Sequence, residues 1–325
     1  MSAGGSNRAI IAALGANVGI AITKFIAFLL TSSSSMLAES VHSLADSGNQ
    51  ALLLVGGKRS RQAPDEAHPF GYGRERYLYA FIVSIVLFSM GGMFALYEAW
   101  HKFADPHPID TWVWVPFVVL IAAIGMEGYS FRTAVHESNH VRGAQSWVSF
   151  VRTAKAPELP VVLLEDAGAL VGLVFALGGV GMTVATGDGR WDAAGTACIG
   201  LLLVTIAGIL SIETRSMLLG ESANPAVVAA IAAALVGPGV ESVIHLRTMH
   251  LGPDELLVAA KIEISAGATA QGITTAIDDA ERRVRTAEPL ATLIYLEPDL
   301  RRSLVTPPTA GTPTAGTPTG EQHHD

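Results

Sequence analysis

The chain has 325 residues, 50% of them hydrophobic and 15% charged, with a mean hydropathy of +0.41, which is too apolar for an ordinary water-soluble protein. A formal net charge of −8 argues against a nucleic-acid partner. The single cysteine, Cys198, excludes an intramolecular disulfide and reads as a small core residue within an apolar segment.

Apolar runs of roughly 18 residues or more read as helices able to cross a bilayer. Six occur, at about 8–31, 36–57, 76–100, 111–133, 159–186 and 192–213. Arg8 ahead of small apolar residues imitates a signal peptide. The stretch is too long for one and a second follows at once, so it reads as a retained helix. Positive residues set the orientation. Lys58, Arg59, Arg61, Arg74 and Arg76 gather at the second-to-third connection, and Arg132, Arg142, Arg152 and Lys155 at the fourth-to-fifth. The other side has Lys102, Arg190 and an uncharged serine turn at 32–35. Both termini are therefore expected in the cytoplasm, and the protein in a membrane as a multi-pass chain.

Beyond Arg215 the pattern becomes that of a small soluble unit. Asn224 then Pro225 starts a helix that runs to about Val236 and stops at Gly237, Pro238 and Gly239. Strands are expected at 240–250 and 255–265, the second with Val258, Ala260, Ile262 and Ile264 on one face and Lys261 and Glu263 on the other. A helix with Ile273, Ile277, Ala280 and Val284 on one stripe and a strand at about 291–297 complete an α-β-β-α-β unit. A unit this small buries a limited core, and self-association is the simplest supply of more. The tail repeats Thr, Pro, Ala and Gly, ends near His323 and His324, and is expected to be disordered and solvated. The expected division is thus 1–214 in the membrane, 215–303 as a cytoplasmic domain and 304–325 as tail.

The chemistry concentrates in the second and fifth apolar stretches. Glu39, His42, Ser43 and Asp46 share about a third of a helix circumference. Ionisable groups at membrane depth cost about 2.5–3.5 kcal/mol each, so they persist where they meet a partner, an ion or water. Glu39 is either a ligand or a solvated group at the outer interface, while His42 and Asp46 read as metal ligands. Adjacent Glu165 and Asp166 point about 100° apart, so at most one aims straight at the second helix. Asp166 is the favoured ligand, with Glu165 a ligand or proton carrier. Glu165 shares its stripe with Gly168 and Gly172, which suits close helix approach. Asn17, Lys24 and Glu127 read as structural bonders or cavity lining, with a direct role in transport as the alternative. Imidazole with carboxylates suits Zn²⁺, whereas an oxygen-rich shell shifts preference to Mn²⁺ or Fe²⁺. Because metal and proton compete for the His42 lone pair, alternating access would make the protein an exchanger.

The stripe at 35–46, the cytoplasmic segment His68-Pro69-Phe70-Gly71-Tyr72-Gly73-Arg74, and six spans followed by a small α/β unit resemble the cation diffusion facilitator family. Residues 8–300 take part, and the nearest subgroup is a divergent zinc-transporter branch with Leu-Leu-Glu-Asp in the fifth helix. The resemblance implies a divalent metal/proton antiporter: six transmembrane helices, then a ferredoxin-like cytoplasmic domain that forms a homodimer. It implies ligands at His42, Asp46 and Asp166. The usual fourth ligand falls at Val162, so Glu165, Glu39 or water must complete the shell. A loop site in some members would here retain only Asp65 and His68, with Tyr72 in the third place, and would be weak or absent. Ligand-like positions of the cytoplasmic domain fall on apolar residues, Tyr295 and Glu297. His245 and His250 flank that region without a second cluster, so no metal sensing is expected there. The transported cation, Zn²⁺ first with Mn²⁺, Fe²⁺, Co²⁺, Ni²⁺ and Cd²⁺ as alternatives, is cargo; no prosthetic group is expected. A bacterial cytoplasmic membrane is the expected location. A competing reading is a non-transporting scaffold or regulator with a degenerate site, favoured by Val162. An intramembrane enzyme using His42 is disfavoured, because Ser43, being adjacent, does not face the imidazole.

Overall fold

The computed structural model describes residues 3–107, 109 and 112–300. The expected tail at 304–325, with His323 and His324, lies outside the described residues. Long helices coincide with the six apolar stretches: α1 (Ala3–Thr31), α2 (Ser34–Arg59), α3 (Glu75–Val86) continuing through a π-helical segment into α4 (Phe94–Ala104), α5 (Trp114–Arg142), α7 (Glu158–Thr186) and α8 (Arg190–Leu219). Among the described residues, four helical segments are long and apolar enough to cross a membrane: Glu75–Ala104, Trp114–Arg142, Glu158–Thr186 and Arg190–Leu219. The described apolar part of α1, Asn17–Thr31, is shorter. Helix α2 stays outside that group, loaded as it is with Glu39, His42, Asp46, Asn49, Gln50 and several serines.

Local chemistry sets the helix ends. Ser33 caps α2 by accepting from the Met36 amide at 3.4 Å, and its hydroxyl also donates to Asp192 of α8 at 3.0 Å. Asn224 caps α9 (Pro225–Leu235), with proline in the first turn. Helix α5 runs nine residues past the expected end at 133, and a short α6 (Trp147–Thr153), capped by Ser146, fills part of the following connection.

The helices pack around a core that includes Leu87, Leu120, Leu173, Ile199 and Leu203. Helix α2 lies against α1, α3, α7 and α8, so its polar stripe is enclosed. Small residues permit the closest approaches. A Cβ on Gly179 would sit 2.9 Å from the Trp191 carbonyl oxygen, and one on Gly195 2.8 Å from that of Phe175. The π segment, Leu87–Met93, brings Gly92 onto α8, where a Cβ would meet Val204 at 2.6 Å. Nothing in hydrophobic periodicity announces that segment. Cys198, expected in the core, is instead exposed on the outer surface of α8.

The C-terminal unit has its own core, in which Ile231 and Leu235 of α9 meet Val258, Ile262, Ala280 and Val284. Strands β1 (Ser242–Gly252), β2 (Glu255–Glu263) and β3 (Leu293–Asp299) are ordered β1-β2-β3. The first pair is antiparallel; β2 and β3 are parallel and joined through α10 (Ala270–Ala287). Alternation along β2 is as read from sequence, with Leu256, Val258, Ala260 and Ile262 buried. The unit docks on the connections between helices: Arg76 pairs with Asp254 at 2.9 Å and with Glu158, while Lys155 pairs with Glu221.

Candidate metal centre

The polar stripe of α2 is buried throughout. Glu39 and Asn49 have no exposed surface, and His42 and Ser43 have 1% each. Asp46, Glu165 and Asp166 are also buried, as are Glu127 on α5 and Lys24 on α1. A helix turn places residues three, four and seven apart on one face, which continues the stripe from His42 and Asp46 to Asn49.

Lys24 reaches Glu39 from α1. Its ammonium lies 2.9 Å from Glu39 Oε2 and donates to Ser43 Oγ at 2.9 Å. Glu39 is therefore not a solvated interfacial group. It is a fully buried carboxylate with a lysine counter-charge, and Gly172 leaves room for it, since a Cβ there would meet Glu39 Oε1 at 3.0 Å. Burying both charges is tolerable because each has the other.

His42 is different. Its Nδ1 stands 3.5 Å from Asp46 Oδ1, long for a hydrogen bond. Both ring nitrogens and Asp46 Oδ1 are buried without a hydrogen-bond partner. Three orphan atoms on adjacent turns are costly, since an unsatisfied buried polar group loses about 1–3 kcal/mol. They are the donor types a borderline divalent cation takes.

Helix α7 supplies the facing acids. Asn49 donates to Glu165 Oε1 at 2.6 Å, tying α7 to α2, and Ser130 of α5 donates to Asp166 Oδ2 at 2.9 Å. Asp46 lies in Coulombic reach of Glu165, Glu127 and Asp166. Even so, among the described residues no three His, Cys, Asp or Glu side chains stand close enough to enclose a metal ion in this conformation. The sequence-predicted residues share one buried region; they do not form a closed shell. Val162 packs into a small apolar cluster with Ala134, Phe150 and Leu163, and Asn17 is half-buried on α1. Sequence reasoning passed over Asn49 and Ser130. Asn49 was findable as the next position of the His42 and Asp46 stripe, and Ser130 as the residue one turn after Glu127.

The loop residues have other employment. Asp65 Oδ1 accepts the His68 amide at 2.7 Å and Oδ2 accepts the Tyr72 hydroxyl at 2.6 Å. Those bonds, the Tyr72 one foremost, hold the Asp65 carboxyl below its ordinary range. The arrangement is a turn clasp at an exposed site, with His68 Nδ1 3.4 Å from Asp65. In the C-terminal unit His245 is exposed beside Lys261, whereas Glu297 pairs with Lys261 at 2.8 Å. His250 is buried, with Nδ1 unpartnered.

A family model for the cation efflux transmembrane domain matches residues 10–219. The chain is 30% identical over 277 residues to the mitochondrial proton-coupled zinc antiporter SLC30A9 of Xenopus laevis, covering 82% of this chain and 49% of that one. The human counterpart is 31% identical over 243 residues, covering 74% and 43%. Metal tolerance protein C4 of Arabidopsis thaliana is 28% identical over 264 residues, covering 80% and 57%. The chain thus spans about half the length of these curated relatives. It belongs to the cation efflux family, the cation diffusion facilitators, whose members are membrane metal transporters.

Proposed function

We propose that the protein moves a divalent metal cation, Zn²⁺ first among candidates, across a bilayer in exchange for protons by alternating access. The observation that carries this reading is the buried His42 and Asp46 pair with three unpartnered donor atoms, facing the acids of α7. In this reading neutral His42, Asp46 and Asp166 bind the cation. Glu165, released from Asn49, or water completes the shell in place of Val162. Protonation of the same groups on the other side expels the metal. Glu39 is assigned to Lys24 rather than to the cation, and Asp65 with His68 to loop structure. Relatives whose names specify proton-coupled zinc antiport support the choice of ion and counter-ion.

The supporting architecture is six membrane-spanning helices in residues 1–214, with α2 crossing because its polar face is enclosed by other helices. A ferredoxin-like cytoplasmic domain at 215–303 pairs two chains into a homodimer. Both termini face the cytoplasm of a bacterial inner membrane. The open arrangement of the acids also suits a scaffold with a degenerate site, and one experiment separates the two. In proteoliposomes carrying a pH gradient, the wild-type chain accumulates zinc, and Asp46→Asn reduces the rate at least about tenfold, the order expected when about 1.4 kcal/mol or more of ligand interaction is lost. Wild-type flux no faster than empty vesicles would leave only the scaffold.

A further inference from the structure

The cytoplasm-ward end of α5, beyond the expected span, carries a feature that the buried site does not use. It reads His136-Glu137-Ser138-Asn139-His140, two imidazoles one helical turn apart. Residues so spaced share a helix face, and the rings meet: their Nε2 atoms are 3.2 Å apart, with ring planes at 90°. Both histidines are exposed, whereas Ala134 and Ser138 take the buried side of the helix. Two nitrogens bound to one tetrahedral zinc at about 2.0–2.1 Å lie about 3.3 Å from each other. The observed separation is therefore close to that of a chelate; in the metal-free chain one Nε2–H donates to the other Nε2, and a cation bound between them takes the place of that proton.

We propose that His136 and His140 bind a borderline divalent cation of the zinc, nickel and copper class on the surface of α5, with water completing the shell. The spacing with an intervening glutamate matches the helix motif by which zinc hydrolases hold their metal. Hydrolysis is not assigned: among the described residues no third His, Cys, Asp or Glu joins the pair, and the face is open rather than cleft-like. Arg132, four residues before His136 and also exposed, is the cationic neighbour a metal must tolerate. Arg142 is turned away, bonded to Asn139 and stacked 4.1 Å from the Trp147 ring centre. Ser130, which holds Asp166, is six residues earlier, about 9 Å along the axis. The surface pair is thus separate from the buried acids and does not depend on the transport reading.

Zinc titration of the full chain in detergent by calorimetry tests the pair. His136→Ala and His140→Ala should each lose one zinc equivalent relative to wild type, with unfolding midpoints unchanged because both side chains are exposed. Glu137→Gln should keep that equivalent. A chain with Asp46→Asn and Asp166→Asn should also keep it, and its zinc absorption edge should report imidazole nitrogen ligands. Alanine variants that bind as much zinc as wild type, with the same affinity, would overturn the proposal while leaving the buried site untouched. Loss of all zinc from the double aspartate variant would overturn it equally.

Discussion

Truncating Lys24 to methionine tests whether Glu39 belongs to the scaffold or to the ion. The ammonium and carboxylate are both fully buried, 2.9 Å apart, and the same ammonium serves Ser43. Glu39 Oε1 already lacks a hydrogen-bond partner, so Lys24→Met leaves an enclosed carboxylate with neither oxygen compensated. Removing one member of a buried pair costs about 3–5 kcal/mol, or about two to four orders of magnitude in the folded ratio. Adding Glu39→Gln removes the stranded charge, and the double variant should recover about 2 kcal/mol or more of the summed losses. Denaturant titration in mixed micelles, followed by tryptophan fluorescence, supplies the four corners of the cycle. The double variant should also bind as many zinc equivalents as wild type. A Lys24→Met cost below about 1 kcal/mol, or a double variant no better than the sum of its parts, would refute the pairing. Zinc lost only when Glu39 changes would return that carboxylate to the ligand shell.

Helix packing and the C-terminal unit yield two further expectations. Gly179→Ala places a methyl 2.9 Å from the Trp191 carbonyl oxygen and should lower stability by about 1–3 kcal/mol, while Gly178→Ala, with nothing within 4 Å, should not; thermal unfolding in detergent measures both. Burial, reinforced by Lys155, holds the His250 imidazole below its ordinary range, so the folded chain takes up a proton there less readily than the unfolded chain. Its stabilising contribution is full above the unfolded value of about 6.5 and is lost as pH falls below it, because the unfolded state then takes up the extra proton. His250→Asn should flatten that acid limb, seen by comparing unfolding midpoints at about pH 5 and 7.5; an unchanged slope would remove His250 from the account.

Periodicity made the long helices and the α-β-β-α-β order readable, because apolar length and two-residue alternation are properties of the chain itself. Val258, Ala260 and Ile262 are buried as that alternation demands. The second helix was read as an apolar stretch like the others, and the acids and imidazole on one stripe marked it as the one that carries chemistry. What stayed hidden depends on contacts between distant segments. The pairing of Lys24 with Glu39, the bond from Asn49 to Glu165 and the exposure of Cys198 follow from how α1, α2, α7 and α8 meet. The π-helical Leu87–Met93 was equally hidden, since it depends on Gly92 seating against Val204. Val162 shows the reverse: its character was plain from sequence, and its apolar neighbours bear that character out.

The most direct test of the buried centre is a zinc-edge anomalous diffraction map of the intact chain crystallised with zinc. The account predicts a peak between α2 and α7 about 2.0–2.2 Å from a His42 nitrogen and from carboxylate oxygens of Asp46 and Asp166. Density confined to the outer face of α5, with none between those helices at saturating zinc, would contradict it.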